Sequence, residues 1–399
     1  MAEITPHLTE RKRERERQQE REREEESRGG NMSEQEGGVY ASPFVCTSPQ
    51  CPLPRRARAP PGTEAKPLIR LLCFPAAGTG AWCFHELQKA ACNEGDEEDE
   101  EYELEIVPIE LPGRSSRFRE ERLTSMKSVV EALLDEKTGI AKLVRNEVDK
   151  STDMEDGHDN SRRKVRYATF GHSMGAWIAY ALLQELRRRR TDAMLTVAKH
   201  EQEEEDVKSQ RKDDDDNDDD DDDDEHLPLV MFASCNRAPH LAGRKHDVHP
   251  WNMHAIADND DFWSKMAERY GESSMSPALK KLMTPLLRAD FRVIETWNPT
   301  EADASRTRVD NVDDADALLR ALDPLCVPVV AIGALQDNRY TPMQISAWSD
   351  HVAADDAGVA SFAEEWVQGG HRYITEEQPA EILAVIRRHI ERAVHADPS

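Results

Sequence analysis

The alternation of apolar and polar positions changes character at Pro67. Before it there is no apolar periodicity. Arg11 to Glu26 alternates Arg and Glu, the pattern of a solvated helix held by i,i+4 ion pairs with no apolar face. Ser42 to Pro67 is rich in Pro, Ser and Arg and reads as a linker. Residues 1–66 are therefore expected to be a charged tail and linker ahead of a single folded unit spanning 67–399. From Pro67 onward short apolar runs recur, each of strand length and bounded by turn residues: Pro67 to Phe74, Tyr102 to Leu111, Lys164 to Gly171, Leu227 to Ser234, Cys326 to Gly333 and Val359 to Val367. Helical patterns follow at Gly175 to Arg190 and at Glu377 to Val394. Strands alternating with helices predict an α/β fold, a mostly parallel sheet with helices on both faces.

Three polar stretches, near 93–103, 149–163 and 196–226, interrupt this alternation and are expected to be acidic or polar surface insertions. They also explain the net charge of -27, because residues 201–225 alone hold 17 acids against 3 bases. The rest of the chain is only mildly acidic, so the charge says little about substrate. It does leave no basic face for nucleic acid. The poly-Asp run from Asp213 to Asp224, broken at Asn217, lacks the fixed geometry of a specific metal site. Seven cysteines, an odd number without a C-x-x-C pair, point to free thiols in a reducing compartment. No apolar run is long enough to span a bilayer, and the N-terminus shows no apolar h-region. The expectation is a cytoplasmic protein, a monomer, with no membrane and no nucleic-acid partner.

The chemistry is concentrated at Gly171-His172-Ser173-Met174-Gly175, a G-x-S-x-G match with a strand leading in and a helix leading out. That context is what a nucleophile elbow needs: a tight strand-to-helix turn that lifts the serine hydroxyl clear and aims the next amide at a developing oxyanion. A serine hydroxyl needs an aligned base, which in such a fold follows the last strand. His371, after Gly369-Gly370 and before the closing helix, occupies that place. The carboxylate that orients it should follow a strand between the two. Asp337 stands just after the strand ending at Gly333, whereas no carboxylate lies near the end of the strand at Ser234. The second oxyanion amide is expected from the turn Phe74-Pro75-Ala76-Ala77-Gly78-Thr79-Gly80, from either Ala76 or Ala77. This loop lacks the Lys-Ser/Thr of a phosphate-binding loop. A helical, partly apolar region from Trp251 to Arg288 carries Phe262, Trp263, Met266, Tyr270, Leu279 and Leu282.

Six segments in order resemble the type II thioesterases, acyl-carrier-protein thioesterases of the α/β-hydrolase fold. They are Phe74-Pro75-Ala76-Ala77-Gly78, Leu111-Pro112-Gly113-Arg114, the Gly171 to Gly175 elbow, Ser234 with Arg237-Ala238-Pro239-His240, Pro285 to Phe291, and Gly369-Gly370-His371. The resemblance spans roughly residues 68–395. It implies hydrolysis of acyl groups from the phosphopantetheine arm of an acyl or peptidyl carrier protein in fatty-acid, polyketide or nonribosomal peptide synthesis. It implies a Ser173–His371–Asp337 triad, oxyanion amides at Met174 and Ala76, and a lid near 250–290 whose candidates are Phe262, Trp263, Met266 and Tyr270. No metal or resident cofactor is implied, since the pantetheine belongs to the substrate. The rival readings are a carboxylesterase or lipase, and a catalytically idle binding protein on the same fold.

Overall fold

The computed structural model describes residues 42, 44–45, 66–93, 101–144, 165–208, 227–271, 274–301, 308–353, 362–376 and 379–396. The expected poly-Asp run, the Arg/Glu segment and the middle polar stretch fall outside these residues. Six parallel strands form one sheet in the order β2-β1-β3-β4-β5-β6: β1 (Leu68–Phe74), β2 (Glu103–Pro108), β3 (Val165–His172), β4 (Met231–Ser234), β5 (Val329–Ala334) and β6 (Phe362–Val367). Every strand expected from the pattern is present. β5 begins later than its apolar run, because Pro328 has no amide to give to a ladder, and β4 begins at Met231, although the Leu229 amide ahead of it already donates to Tyr167 O of β3.

Both faces of the sheet are covered, so β1 is buried at every position. Alternate residues supply two cores. Leu72 and Phe74 face α2 (Met126–Leu133) and α3 (Met174–Lys208). Ile69, Leu71 and Cys73 face α1 (His85–Asn93) and the closing helix, labelled α6 below (Pro379–Ala396). The register Phe74↔Gly171 and His172↔Ser234 brings the carboxyl ends of β1, β3 and β4 level. Loops leaving those ends therefore converge at the centre of the sheet, where open α/β sheets hold their ligands.

Two elements differ from expectation. Helix α3 does not stop near Arg190 but continues to Lys208, into the stretch expected to be an insertion from 196. The segment Thr191 to Lys208 contains neither Gly nor Pro. Glu185 pairs with Arg188 and Arg189, and Arg188 with Asp192, so the exposed turns carry i,i+3 and i,i+4 support. The second concerns the segment read as linker. Phe44 and Val45 are buried, Val45 bridges Ile109, and the Phe44 carbonyl accepts from the Glu110 amide at 2.7 Å. Arg117 lies over the Phe44 ring at 4.2 Å. One apolar pair among polar neighbours is too short a pattern to reveal this docking.

The lid region folds as two helices: α4 (Asn259–Tyr270), capped by Asp258, and α5 (Pro277–Glu295), capped by Ser276 with Pro277 in its first turn. Between them Gly271 adopts φ +83° and ends α4. Met253, Phe262, Leu287 and Phe291 form a small core of their own beneath these helices.

Candidate active site

Ser173 sits where β3 turns into α3, with a left-handed φ of 52° that only a tightly held non-glycine residue adopts. The flanking glycines are required by contact. A Cβ on Gly171 would stand 2.3 Å from the Gly175 oxygen, and one on Gly175 would stand 2.0 Å from the Phe74 oxygen. The turn is held from outside as well. The Ser173 amide donates to Ser234 O at 2.8 Å, and the Asn236 side-chain amide donates to Ser173 O at 2.8 Å.

The loops after β5 and β6 bring Asp337 and His371 to the same point. His371 Nε2 lies 2.9 Å from Ser173 Oγ, and His371 Nδ1 lies 2.9 Å from Asp337 Oδ2. Burial pushes the Asp337 carboxyl upward, but hydrogen bonding to His371 and the neighbouring charges outweigh it and hold the carboxyl below its usual range. An ionised carboxylate can only accept, so Nδ1 carries the proton. Nε2 is then left as acceptor for the serine hydroxyl. That is the tautomer that general-base catalysis needs. Asp337 is itself fixed by the Arg339 amide at 2.7 Å. The Arg339 guanidinium makes a buried bidentate pair with Asp247, at 2.7 and 2.8 Å.

A further chain of hydrogen bonds supports the base from behind. His172 Nε2 lies 2.9 Å from the His371 carbonyl, His172 Nδ1 lies 2.9 Å from Ser234 Oγ, and Ser234 Oγ lies 2.6 Å from the Tyr373 hydroxyl. A carbonyl can only accept, so His172 donates through Nε2. Its Nδ1 accepts from Ser234, and Ser234 in turn accepts from Tyr373. Burial and then the nearby His371 lower the His172 pKa to about 3, which keeps the ring neutral in this role. The rings of Tyr270 and Tyr340 flank His371, with centroids 5.4 and 5.7 Å away.

On the oxyanion side, Met174 is the first residue of α3, where helical amides have no intrahelical acceptor. In the facing turn the Gly78 amide is taken by Asp290 Oδ2 at 2.7 Å. Among the described residues the Ala77 amide has no acceptor, whereas the Ala76 amide is hydrogen-bonded to the buried Cys83 thiol. Of the two alternative donors, Ala76 and Ala77, the turn therefore leaves the Ala77 amide free.

The lid residues divide. Tyr270 reaches His371, whereas Phe262 is fully buried within the lid's own core, against Phe291. Trp263 donates to Thr284 Oγ1 at 2.9 Å, and Met266 packs on the same small core. Sequence reasoning misses Tyr340, Asn236 and the His172 chain. His172 and Ser234 stand inside the recognised motifs, but their roles become visible only when β3 and β4 lie side by side. One candidate metal-binding group occurs among the described residues: Cys235, Asp337 and His371 bring ligand atoms within 4.8 Å of one another. Burial and then the Asp337 charge raise the Cys235 thiol well above its usual range, and His371 Nδ1 is already engaged by Asp337.

Comparison with known proteins identifies the family. The thioesterase domain family matches residues 161–390. Linear gramicidin dehydrogenase LgrE of Brevibacillus parabrevis is 24% identical over 337 residues, 84% of this chain and 92% of that protein. Gramicidin S biosynthesis protein GrsT of Aneurinibacillus migulanus is 22% identical over 285 residues, 71% of this chain and 76% of that protein. Among solved structures, the RedJ thioesterase from the prodiginine biosynthetic pathway in Streptomyces coelicolor superposes with a TM-score of 0.50 at 24% identity. That match covers 84% of this chain and 91% of RedJ, and it places the fold in the α/β-hydrolase class.

Proposed function

The chain belongs to the thioesterase domain family and is a hydrolytic thioesterase, and on that premise we propose that it releases acyl groups from the phosphopantetheine arm of a carrier protein through Ser173, His371 and Asp337. The observation that carries the reading is the pair of 2.9 Å contacts linking Ser173 Oγ, the His371 ring and Asp337. His371 Nε2 takes the Ser173 proton as Oγ attacks the thioester carbonyl. The Met174 amide, with Ala76 or Ala77, holds the oxyanion, a contribution of roughly 3–4 kcal/mol per donor. The pantetheine thiol leaves, taking its proton from His371. Water, deprotonated by the same imidazole, then attacks the acyl-serine and releases the acid. These residues need no metal or resident cofactor for that sequence, and the pantetheine enters with the substrate.

Tyr270 and the lid core beneath α4 and α5 support a role for this region as the wall of the acyl pocket. Relatives named for gramicidin and gramicidin S biosynthesis favour carriers of peptide assembly over those of fatty-acid synthesis. The five described cysteines are all free, which fits a cytoplasmic setting, and among the described residues no helix is long and apolar enough to cross a membrane. The test is a comparison of one acyl group presented three ways: on a phosphopantetheinyl carrier, on free pantetheine and as an oxygen ester. Carrier thioester is expected to be cleaved with the highest kcat/KM. Preference for the oxygen ester would move the protein to the esterases.

A further inference from the structure

The motifs Leu111 to Arg114 and Pro285 to Phe291 contribute nothing to the triad, yet they meet at the oxyanion turn. Asp290, on α5, is 1% exposed, and both of its carboxylate oxygens are used. Oδ2 accepts from the Gly78 amide at 2.7 Å, and Oδ1 accepts from Arg114 Nη2 at 2.7 Å. Arg114, itself buried, donates its other terminal nitrogen to Thr79 O at 2.8 Å. The turn is thus gripped at Gly78 and at Thr79 by one buried ion pair. Inside the turn, Ala76 O accepts from the Thr79 amide at 3.1 Å and from the Thr79 hydroxyl at 2.8 Å. Peptide planarity then does the rest. With Ala76 C=O fixed toward Thr79, the Ala77 N–H of the same peptide must point the opposite way, out of the turn. Gly78 also lies against α5, so closely that a Cβ there would stand 2.4 Å from Leu287 Cδ2.

We propose that the Arg114–Asp290 pair is a positioning device that couples the lid helix α5 to the oxyanion turn, so that the second oxyanion amide is correctly aimed only while α5 is seated. The inference rests on the proposed function, because it presumes that Ala76 or Ala77 serves the oxyanion. The geometry gives the pair this task beyond stability. It spans three separate segments, and one of its hydrogen bonds ends on Gly78, next to the free Ala77 amide. A shift of α5 as an acyl chain enters beneath it would be transmitted to the amide that stabilises the transition state. A small misplacement of such a donor is costly, because the donor acts through its preset direction.

The test uses the full chain and the variants Asp290→Asn and Arg114→Lys. Arg292→Gln, an exposed change on the same helix, serves as control. Each is measured for kcat and KM on an acyl-pantetheine thioester, for inhibition by an alkyl boronic acid that forms a tetrahedral adduct on serine, and for its melting midpoint. Asp290→Asn is expected to lower kcat by about 10–100-fold with KM within about twofold, and to weaken boronic-acid inhibition by a similar factor. Arg114→Lys, which keeps the charge beside Asp290 but gives up the fork, is expected to show the same pattern more weakly. Arg292→Gln should match the wild type. A purely structural role would lower the melting midpoint and leave both kcat and the boronic-acid constant unchanged in the folded protein; that result overturns the proposal, as does a rise in KM alone. Should Asp290→Asn fail to fold, Arg114→Lys decides on the same criteria. If the wild type itself does not cleave the thioester, the proposed function falls. If the wild type cleaves it and the folded variants do so equally well, only the coupling falls.

Discussion

At the scale of single residues, the site depends on proton positions that are fixed by partners. Asp337→Asn would let the side chain donate to His371 Nδ1, so the ring would present its proton to Ser173 instead of accepting one. A fall in kcat of about 10⁴ is expected, with folding retained. Steady-state kinetics beside a melting curve checks this, and a loss below tenfold would contradict it. Tyr373→Phe removes the last donor of the chain that ends on the His371 carbonyl. It is expected to cost about 1–2 kcal/mol of stability and only a modest part of kcat, because the Ser173–His371 contact is left in place. Chemical denaturation together with kinetics separates the two effects. Much of this scale is legible in the sequence. Ser173, His371 and Asp337 follow from chain order and strand context, since each stands just past a strand end where only a few residues compete. His172, Asn236 and Tyr340 are not legible, because their partners lie across the sheet and share no sequence spacing with them.

At the scale of elements, the elbow joins β1, β3 and α3 through glycine positions with no spare volume. Gly175→Ala places a methyl group 2.0 Å from a backbone oxygen of β1, an atom that cannot swing aside. Loss of soluble folded protein, or destabilisation of several kcal/mol, is expected, and activity should vanish with it. A variant of wild-type stability would show that the turn is looser than described. The strands are legible in the sequence because both faces of the sheet are covered, which makes each strand a continuous apolar run. Helix ends are less so. The extension of α3 to Lys208 is hidden because the sequence from 199 to 208 is almost entirely polar, a composition that a solvated helix shares with a loop.

At the scale of the whole molecule, buried charge near the oxyanion turn makes stability depend on pH. Burial is the largest influence on Glu110 and raises its carboxyl from 4.5 to about 7, against hydrogen bonds from Ser115 and Ala81 and the charges of Arg114 and Arg117. The folded state therefore binds this proton more tightly than the unfolded chain does. The resulting stabilisation is fully present below about pH 4.5 and is lost as pH rises through about 7, an effect of order 3 kcal/mol. Denaturation of wild type and Glu110→Gln at about pH 5 and about pH 8 measures it. The wild type should lose stability relative to the variant between the two values. A constant difference would show that Glu110 does not titrate in this window. The architecture itself is legible at this scale, since six spaced apolar runs and a late histidine leave few alternatives to a parallel sheet with its site at the carboxyl ends. The docking of Phe44 onto β2 is not, being one apolar pair in a polar segment.

The central claim, that Ser173 is the nucleophile of a thioester hydrolase, is tested most directly by rapid-quench mass spectrometry of the protein mixed with an acyl-pantetheine thioester. A transient adduct of one acyl group on the peptide containing Ser173 is expected, forming and decaying at rates consistent with turnover, and absent together with hydrolysis in Ser173→Ala. Undiminished hydrolysis by Ser173→Ala, or an adduct on any other residue at the turnover rate, would contradict the claim.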